Sequence, residues 1–460
     1  MGNQARGSLL TVGVVLSAVW GLGAQERASW LDPYREPAAQ ILASSRGDRA
    51  AWNRLAELTD TFGPRLSGTP QLEAALRWAA AEMKKDGLAN VRLEKVMVPT
   101  WVRGRESAEI VEPFPGALVM LGLGNSVGTP PDGVTAPILV VKSTEELEAH
   151  ATETKGKIVV FNVPFTGYGP TVRYRASGAS QAAKHGAVAM LLRSVGLPGL
   201  RTPHTGSLHY DQGIPQIPAA AISAEDADRL QRMVDRGQQV TVTLKMEARF
   251  LADSESANLI AELPGREKPQ EVVVMGGHID SWDVGTGAMD DGGGCVAAWE
   301  ALRTLKKLGL QPRRTIRVVF WTNEENGLRG GLAYRDQHKA ELANHVMALE
   351  SDGGVFRPRG FGFTGNDKAR ATVTEIASLL GAIGADRVGP SGGGADIGPA
   401  VLEGGIPSLS LDVEGSRYFL YHHTPADTPD KIDPEEIALS SAAMAIMSYL
   451  VADLPTRLGF

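Results

Sequence analysis

Strand and helix patterns alternate along the chain after Asn258, and this alternation limits the fold more than any other feature. Short apolar and β-branched runs predict strands, and the segments between them have apolar residues at helical spacing. The predicted strands are 258–263, 272–275, 315–321 and 346–349, with helices at 294–308 and 330–343. Because strands that alternate with helices form βαβ units, the sequence predicts an α/β fold with a mostly parallel central sheet and helices on both faces.

The chain before this region divides into two parts of different character. An amphipathic helix is predicted over 70–87, with Thr69 as its N-cap, and a strand over 91–98 follows it. A proline and glycine cluster at 128–133 then indicates a domain boundary. The stretch up to about Phe250 has short β-rich runs and two short helical patterns, so we expect an α+β insert within the main domain.

The N-terminus has the three-part layout of a secretory signal. Arg6 precedes an apolar run over 9–22, which ends in small residues at 21–24. The run is shorter than the roughly 20 residues that span a bilayer. Residues 1–24 are therefore predicted to be a signal peptide that exports the chain to a periplasmic or extracellular location, with an uncleaved anchor as the alternative. We expect no membrane association after the signal is removed.

Charge and cysteine content exclude several classes of function. The chain has 46 Lys and Arg residues against 53 Asp and Glu residues, a net charge of −7, so it has no general attraction for nucleic-acid phosphates. A nucleic-acid partner is therefore not expected. Cys295 is the single cysteine, which excludes intrachain disulfides and any zinc site built from several cysteines.

Potential metal ligands follow the predicted strands of the main sheet. In open parallel sheets, ligands bind in the crevice beyond the carboxyl ends of the strands. Three of these strands lead into histidine or acidic residues, and a doubled aspartate precedes a glycine run and the helix 294–308. A further strand near 408–411 leads on to two adjacent histidines. The residues at these positions are His278, Asp280, Asp290, Asp291, Glu324, Glu325, Asp352, His422 and His423. Their placement predicts a metal centre at this edge of the sheet.

The residue types indicate which metal to expect. Imidazole and carboxylate ligands suit a borderline cation such as Zn²⁺, and a catalytic zinc normally keeps three protein ligands and one open position. Five ligands from this set would exceed that number, whereas two zinc ions that share a bridging carboxylate can use all five. A metal pair roughly 3.5 to 4 Å apart can hold a water between the ions and lower its pKa towards about 7. The sequence therefore predicts two Zn²⁺ per chain.

Short motifs extend over nearly the whole mature chain. They are GPRLSG at 63–68, GKIVV at 156–160, GHIDSWDVG at 277–285, AMDDGGG at 288–294, EE at 324–325, ESD at 350–352 and HHTPADT at 422–428. Together they resemble the co-catalytic dizinc exopeptidases, and the insert resembles a protease-associated domain. The resulting division is a signal at 1–24, a peptidase domain in two parts at 25–125 and 251–460, the second with the metal site, and the insert at 126–250.

The resemblance implies a role for each metal ligand. His278 and Asp352 would bind one metal ion, Glu325 and His423 the other, and Asp290 would bridge the two. The family also has a cis peptide bond directly after the bridging aspartate.

Two further residues receive roles from the same resemblance. Glu324 would be the general base, since a carboxylate beside a ligand can take a proton from the attacking water and deliver it to the leaving amine. Asp280, two residues after His278, would orient the imidazole ring, as metal-binding histidines usually require.

The two adjacent histidines are not equally good candidates for the metal ligand. Neighbouring residues of an extended segment point to opposite sides, so we expect only one of His422 and His423 to bind metal. His423 is preferred, because the family motif places its ligand directly before Thr or Ser and four residues before Asp. Asp427 either supports this histidine or caps a turn.

Two loops offer weaker signals. His204 and His209 lie on a loop of the insert that could reach over the site, although a plain surface loop is the preferred interpretation. The glycine-rich segment 391–396 is interpreted either as a wall of the substrate pocket or as an ordinary flexible loop.

The leading hypothesis is an exported dizinc metallopeptidase that hydrolyses dipeptides or short peptides with free termini. The alternatives are an aminopeptidase of broader specificity, a metal-free binding or receptor-like relative of the fold, and a single-zinc cyclase of glutaminyl residues. The complete ligand set and the retained Glu324 argue against the metal-free relative, and the complete ligand set and the large insert argue against the cyclase. The family forms homodimers, which we expect here as well. The sequence assigns no residue to either terminus of the substrate.

Overall fold

The computed structural model describes residues 1–2 and 29–459. The apolar run and the small residues of the predicted signal lie outside the described residues. Within the described residues the chain forms two sheets of eight strands each and one short two-stranded ribbon.

The first sheet is the core of the main domain. Its four middle strands run parallel to one another, while the pairs at one edge and the pair next to the other edge are antiparallel. In order across the sheet the strands are Ala89–Val98, Ser254–Leu263, Arg314–Trp321, Lys268–His278, His345–Glu350, Ser408–Val413, Pro358–Thr364 and Arg387–Gly389. The predicted α/β fold is confirmed, with antiparallel strands added around the parallel centre.

Helices cover both faces of this sheet. One face packs on a large apolar core that includes Val273 and Leu349, and the other face packs on a smaller core that includes Val274 and Tyr334. The α-helices of the main domain are Asp32–Ser45, Ala50–Phe62, Pro70–Lys85, Gly293–Lys307, Arg329–Gln337, Asp367–Ala377, Gly398–Gly404, Tyr418–Tyr421 and Pro434–Asp453. Short 3₁₀ turns lie at Lys339–Asn344, Ser378–Ile383 and Pro429–Lys431.

The helix Pro434–Asp453 is long and apolar enough to cross a membrane by length and composition alone. In the fold, however, 89% of its most apolar window is buried within the protein. The helix packs in the same core as the helix Gly293–Lys307. Burial on all sides accounts for its composition, as expected for a core helix of a large domain.

The second sheet forms the insert. Its strands are, in order, Gly116–Leu118, Glu106–Glu112, Thr241–Met246, Val134–Val141, Ile158–Phe161, Ala189–Arg193, Ala219–Ile222 and Met120–Gly122. The helices Thr144–Ala149, Ala151–Thr154, Tyr168–Lys184 and Ala224–Asp235 belong to the same domain. The predicted α+β insert is therefore confirmed as a domain.

The start of the insert differs from the division predicted at residue 126. The strands Glu106–Glu112, Gly116–Leu118 and Met120–Gly122 already pair within the insert sheet. The strand Glu106–Glu112 pairs with Thr241–Met246, far away in the chain, and a local pattern cannot reveal such a partner. Composition changes only at the proline and glycine cluster, which lies inside the domain.

Contacts at the start and end of the insert tie it to the main domain. Trp101–Val102 and Arg249–Phe250 form the two-stranded ribbon where the chain enters and leaves the insert. The Arg103 guanidinium donates to both carboxylate oxygens of Asp283, at 2.6 and 2.8 Å. Because Asp283 lies in the motif that begins at Gly277, this ion pair connects the insert to the predicted metal centre.

Candidate active site

The predicted ligands converge at the carboxyl edge of the parallel strands. His278 is the last residue of its strand, and Glu324 and Glu325 follow directly after the strand that ends at Trp321. Asp290 lies just before the start of the helix Gly293–Lys307, and its carboxylate is at the same edge as His278. The strand order thus brings together residues that are far apart in the sequence.

Asp290 occupies the middle of the cluster. Its Oδ1 lies 3.2 Å from His278 Nε2, and its Oδ2 lies 3.2 Å from His423 Nε2. Asp352 Oδ1 is 3.3 Å from the same nitrogen of His278, and Glu325 Oε2 is 3.1 Å from that of His423. The five side chains therefore form two groups of three, which share Asp290.

The charges of this cluster indicate room for a cation. Burial raises the pKa of Glu324 well above its usual range, and burial together with repulsion from Asp290 raises the pKa of Glu325 to about 7. Within the described part of the chain, Asp290 Oδ2 and Glu325 Oε1 are buried and accept no hydrogen bond. Buried carboxylate oxygens that accept no hydrogen bond are costly, so these oxygens fit a metal ion. His278, Asp290 and Asp352 also have ligand atoms close enough together to hold one ion.

Asp280 lies at the site, where it contacts the imidazole ring of His278 and also the backbone of the two adjacent glutamates. Its carbonyl oxygen accepts from His278 Nδ1 at 2.9 Å, whereas its carboxylate lies 3.8 Å from that nitrogen. The carboxylate instead accepts the backbone N–H groups of Glu324 and Glu325, at 3.1 and 3.3 Å. One residue thus fixes the ring of His278 and the two adjacent glutamates.

Asp427 has a role that the sequence did not reveal. Its carboxylate accepts the consecutive backbone N–H groups of Ala288, Met289 and Asp290, at 3.1, 2.7 and 3.2 Å. It therefore holds the segment that presents the central carboxylate, rather than His423. The peptide bond between Asp290 and Asp291 in this segment is cis, as the resemblance implies.

The two histidines do not point to opposite sides, so the geometric expectation for them is wrong. They follow a helical turn, Tyr418–Tyr421, and His423 has a φ of 61°, so the segment is not extended. The two rings stack with their centroids 3.5 Å apart. His422 Nε2 lies 3.6 Å from Asp290 Oδ2, slightly farther than His423 Nε2. The contact between His423 and Glu325 distinguishes the two rings.

The insert loop that contains His204 reaches the site, and the preferred interpretation as a plain surface loop is wrong. His204 Nδ1 contacts the carbonyl oxygen of His422 at 2.7 Å. The backbone N–H of Thr205 donates to the carbonyl of His423 at 3.0 Å, and His423 Nδ1 lies 3.2 Å from the Thr205 carbonyl. His209, by contrast, is exposed.

Arg65 explains the early motif at 63–68, for which the sequence offered no role. Its side chain is fully buried and donates to the carbonyl oxygens of Gly63, Ile279, Thr286 and Gly287, at 2.7 to 3.0 Å. The guanidinium therefore satisfies the irregular backbone between His278 and Asp290. The resemblance marked this motif, but nothing in the local pattern could show its partners.

A cavity of about 550 Å³ opens beside the cluster, a volume suited to a small ligand. Glu324, Asp352 and His423 line it from the main domain, and Tyr168 and Arg175 line it from the insert. Of the glycine-rich segment 391–396, Ala395 lies on the wall. The backbone N–H groups of Asp396 and Ile397 donate to Glu350, which holds this segment against the sheet end.

The fold and this donor set define a class, the metallopeptidases with an inserted protease-associated domain. The model of peptidase family M28 matches residues 258–448, and that of the PA domain matches residues 116–230. The chain belongs to peptidase family M28.

Individual relatives agree with this assignment. The chain is 46% identical to Carboxypeptidase Q of Mus musculus over 408 residues, which cover 89% of this chain and 87% of the mouse protein. It is 25% identical to Aminopeptidase YwaD of Bacillus subtilis (strain 168) over 87% of this chain and 86% of that protein. The crystal structure of a peptidase M28 precursor from Shewanella amazonensis SB2B superposes with a TM-score of 0.89 at 37% identity, covering 93% of this chain and 98% of that one. The predicted family and enzyme class, an exopeptidase, are thereby confirmed.

Proposed function

We propose that the protein is an exported dizinc exopeptidase that hydrolyses dipeptides or short peptides with free termini. The observation that carries the proposal is the position of Asp290. Each of its carboxylate oxygens faces a different histidine, and each histidine has a second carboxylate at 3.1 to 3.3 Å. Two complete ligand groups with a shared bridge fit two zinc ions better than one.

The donor set divides between the two ions. One zinc ion would be held by His278, Asp290 and Asp352, and the other by His423, Asp290 and Glu325. Bound zinc supplies Lewis acidity, which polarises a carbonyl group and acidifies a water molecule.

Two observations support Glu324 as the general base. Its side chain lines the cavity, and its backbone N–H is held by Asp280. Burial raises its pKa well above the usual range, which is the direction that favours proton uptake. We infer that Glu324 takes a proton from the attacking water and donates it to the leaving amine.

Metal content and turnover test this function together. The purified protein should contain close to two zinc equivalents and hydrolyse simple dipeptides. Glu324→Gln should retain the zinc but reduce kcat by about 100-fold or more. The matched control is Glu403→Gln, since Glu403 is an exposed glutamate that pairs with Lys339. Absence of zinc together with absence of hydrolysis after zinc is added would contradict the proposal.

An aminopeptidase of broader specificity is the second candidate. The similarity to Aminopeptidase YwaD over most of both chains favours it. The two candidates differ in the substrate terminus that must be free. Longer peptides with an amidated C-terminus should be poor substrates of the proposed enzyme and good substrates of an aminopeptidase.

Export and assembly are part of the same proposal. The N-terminal pattern supports cleavage near residue 24, and the intact mass of the exported protein would show it. We also propose a homodimer, which sedimentation of the purified protein would test.

A further inference from the structure

We propose that Asp412 binds the cationic side chain of substrates whose N-terminal residue is lysine or arginine. This inference rests on the proposed function and adds a side-chain preference to it. Asp412 lines the cavity beside the metal ligands, together with Glu324 and Asp352, but it belongs to neither ligand group. Its carboxylate is therefore free to contact a part of the substrate away from the reacting bond.

The strand that carries Asp412 is parallel to the strand that leads to Asp352. In these two strands Glu350 is paired with Ser410. Asp412 and Asp352 each lie two residues beyond this pair in the same direction, and both line the cavity. Because parallel neighbours end at the same edge of a sheet, Asp412 lies on the side of the centre that His278 and Asp352 form.

The side chain of Asp412 is directed away from the apolar core. Leu411 and Val413, its neighbours in the strand, are buried in that core, and successive side chains of a strand point to opposite faces. The residue opposite Asp412 on the adjacent strand is Gly360, which has no side chain to cover it. The carboxylate is accordingly half-buried at the cavity wall.

No cation of the described part of the chain pairs with this carboxylate. Arg359 and Arg417 lie near Glu414 instead, at 3.5 and 3.9 Å from its oxygens. Arg387, on the edge strand, is exposed and forms no ion pair among the described residues. The few polar groups of a ligand cavity normally determine its specificity, so an unpaired carboxylate on the wall fits a cation that the ligand supplies.

The charges around the cavity indicate which residue of the substrate lies beside Asp412. Arg175 lines the cavity at His423, where its Nη1 is 3.4 Å from the ring nitrogen Nδ1. A positive amino terminus is repelled there and attracted to the side that holds Asp352 and Asp412. The amine and the first side chain share one Cα atom, so the first side chain lies on this acidic side as well.

The cavity wall also suits the apolar part of a basic side chain. Lysine and arginine bury an aliphatic stem against apolar surface and keep the charged head at a polar group. Tyr418 and Phe419 line the same cavity and offer such a surface, while Asp412 offers the charge. Since an ion pair that is partly exposed contributes modestly, we expect a preference of about 3- to 10-fold.

The test compares Lys-Ala with norleucine-Ala, using the zinc-loaded full chain. Norleucine keeps the stem of lysine and lacks its charge. For the wild type we expect kcat/KM to be about 3- to 10-fold higher for Lys-Ala. Asp412→Asn should bring this ratio close to 1 by raising KM for Lys-Ala, with little change for norleucine-Ala.

Two further variants sharpen the comparison. Glu414→Gln is the matched control, since this carboxylate faces arginines and lies two residues further along the chain. It should keep the full preference for Lys-Ala. Asp412→Lys reverses the charge on the cavity wall, so it should hydrolyse Glu-Ala with a higher kcat/KM than Lys-Ala.

The outcomes separate this inference from the proposed function. If the zinc-loaded wild type hydrolyses no dipeptide, the proposed function fails. If it hydrolyses Lys-Ala and norleucine-Ala equally well, only the inference is overturned. The same holds if Asp412→Asn lowers kcat/KM for both equally, as it would if Asp412 bound the amino terminus. A preference for Ala-Lys over Ala-norleucine that disappears in Asp412→Asn would place the cation on the C-terminal residue and overturn the assignment.

Discussion

Two buried carboxylates, those of Asp280 and Asp427, hold the backbone at the active centre. Each uses its oxygens on consecutive N–H groups, and the segments they hold carry Glu324, Glu325 and Asp290. Burial raises the pKa of Asp427 to about 7, while the N–H donors of Met289 and Asp290 act against that increase. The geometry of the ligands therefore depends on residues outside the ligand set.

Asp427→Asn is the sharpest test at this scale. An amide keeps the shape of the side chain, but its NH₂ group faces backbone donors, so the segment 288–290 should shift. We expect zinc affinity to fall by about 10- to 100-fold, as measured by competition with a chelator. Asp430→Asn, on the same stretch but exposed, is the control. Equal affinities in the two variants would contradict this role for Asp427.

At the scale of elements, glycines permit the close packing that surrounds the site. A Cβ atom on Gly294 would lie 2.0 Å from the Ser351 carbonyl oxygen, and one on Gly277 would lie 2.0 Å from Asp291 Oδ2. These contacts bring the start of the helix Gly293–Lys307 against the ends of two strands. The glycine run after Asp291 is therefore a packing requirement.

Gly294→Ala should destabilise the fold although alanine favours helices. The clash is with backbone, which cannot rotate away, so we expect a loss of about 1 to 3 kcal/mol in the free energy of unfolding. Chemical denaturation measures it. Gly398→Ala, at a helix start with no atom within 4 Å, should be neutral within about 0.5 kcal/mol.

The helices and strands also show how much of the fold could be predicted from the sequence. Helix and strand types were predictable because their apolar periodicity is local. The strand Lys268–His278 is longer than predicted, because Gly276 and Gly277 have low strand propensity yet pair with Val319 and Phe320. The predicted helix over 330–343 ends at Gln337 and continues as a 3₁₀ turn.

The position of the metal ligands could be predicted from the sequence, but the contacts that hold them could not. Ligands after parallel strands follow from the general geometry of such sheets, and the motifs identified the family. The carboxylate of Asp427, the guanidinium of Arg65 and the insert loop at Thr205 act through contacts between distant segments. No local pattern encodes such contacts, and the stacked rings of His422 and His423 required a backbone turn that the pattern did not indicate.

At the scale of the whole molecule, a buried histidine far from the centre contributes to pH dependence. His345 contacts the Glu341 carbonyl through Nδ1 and the Tyr334 hydroxyl through Nε2. Burial lowers its pKa to about 4, so the folded chain keeps this ring neutral while the unfolded chain protonates it below about pH 6.5. Stability from this group is thus complete above pH 6.5 and is lost as pH falls towards 4.

His345→Gln should weaken the dependence of the unfolding free energy on pH in this acidic range. The shift corresponds to about 3 kcal/mol, so the wild type should lose about that much more unfolding free energy than the variant between pH 7.5 and pH 4. Denaturant titrations at several pH values measure the difference. The exposed His209→Gln is the control, and parallel profiles for wild type and His345→Gln would exclude the effect.

Metal removal should affect the stability of the whole chain. Without cations, the buried atoms Asp290 Oδ2 and Glu325 Oε1 accept no hydrogen bond within the described residues, and a ligand at 1,000 times its Kd stabilises by about 4 kcal/mol. We expect a chelator to lower Tm by at least a few degrees and added zinc to restore it. An unchanged Tm, with zinc loss verified, would contradict a structural contribution from the metal.

The hydrogen bonds between the insert loop and His422 and His423 join residues 218 positions apart in the chain. Contacts at such separation contribute only after long loops have closed. The histidine side of the centre is therefore completed when both domains have docked. The topology thus makes completion of the centre depend on the association of the insert with the main domain.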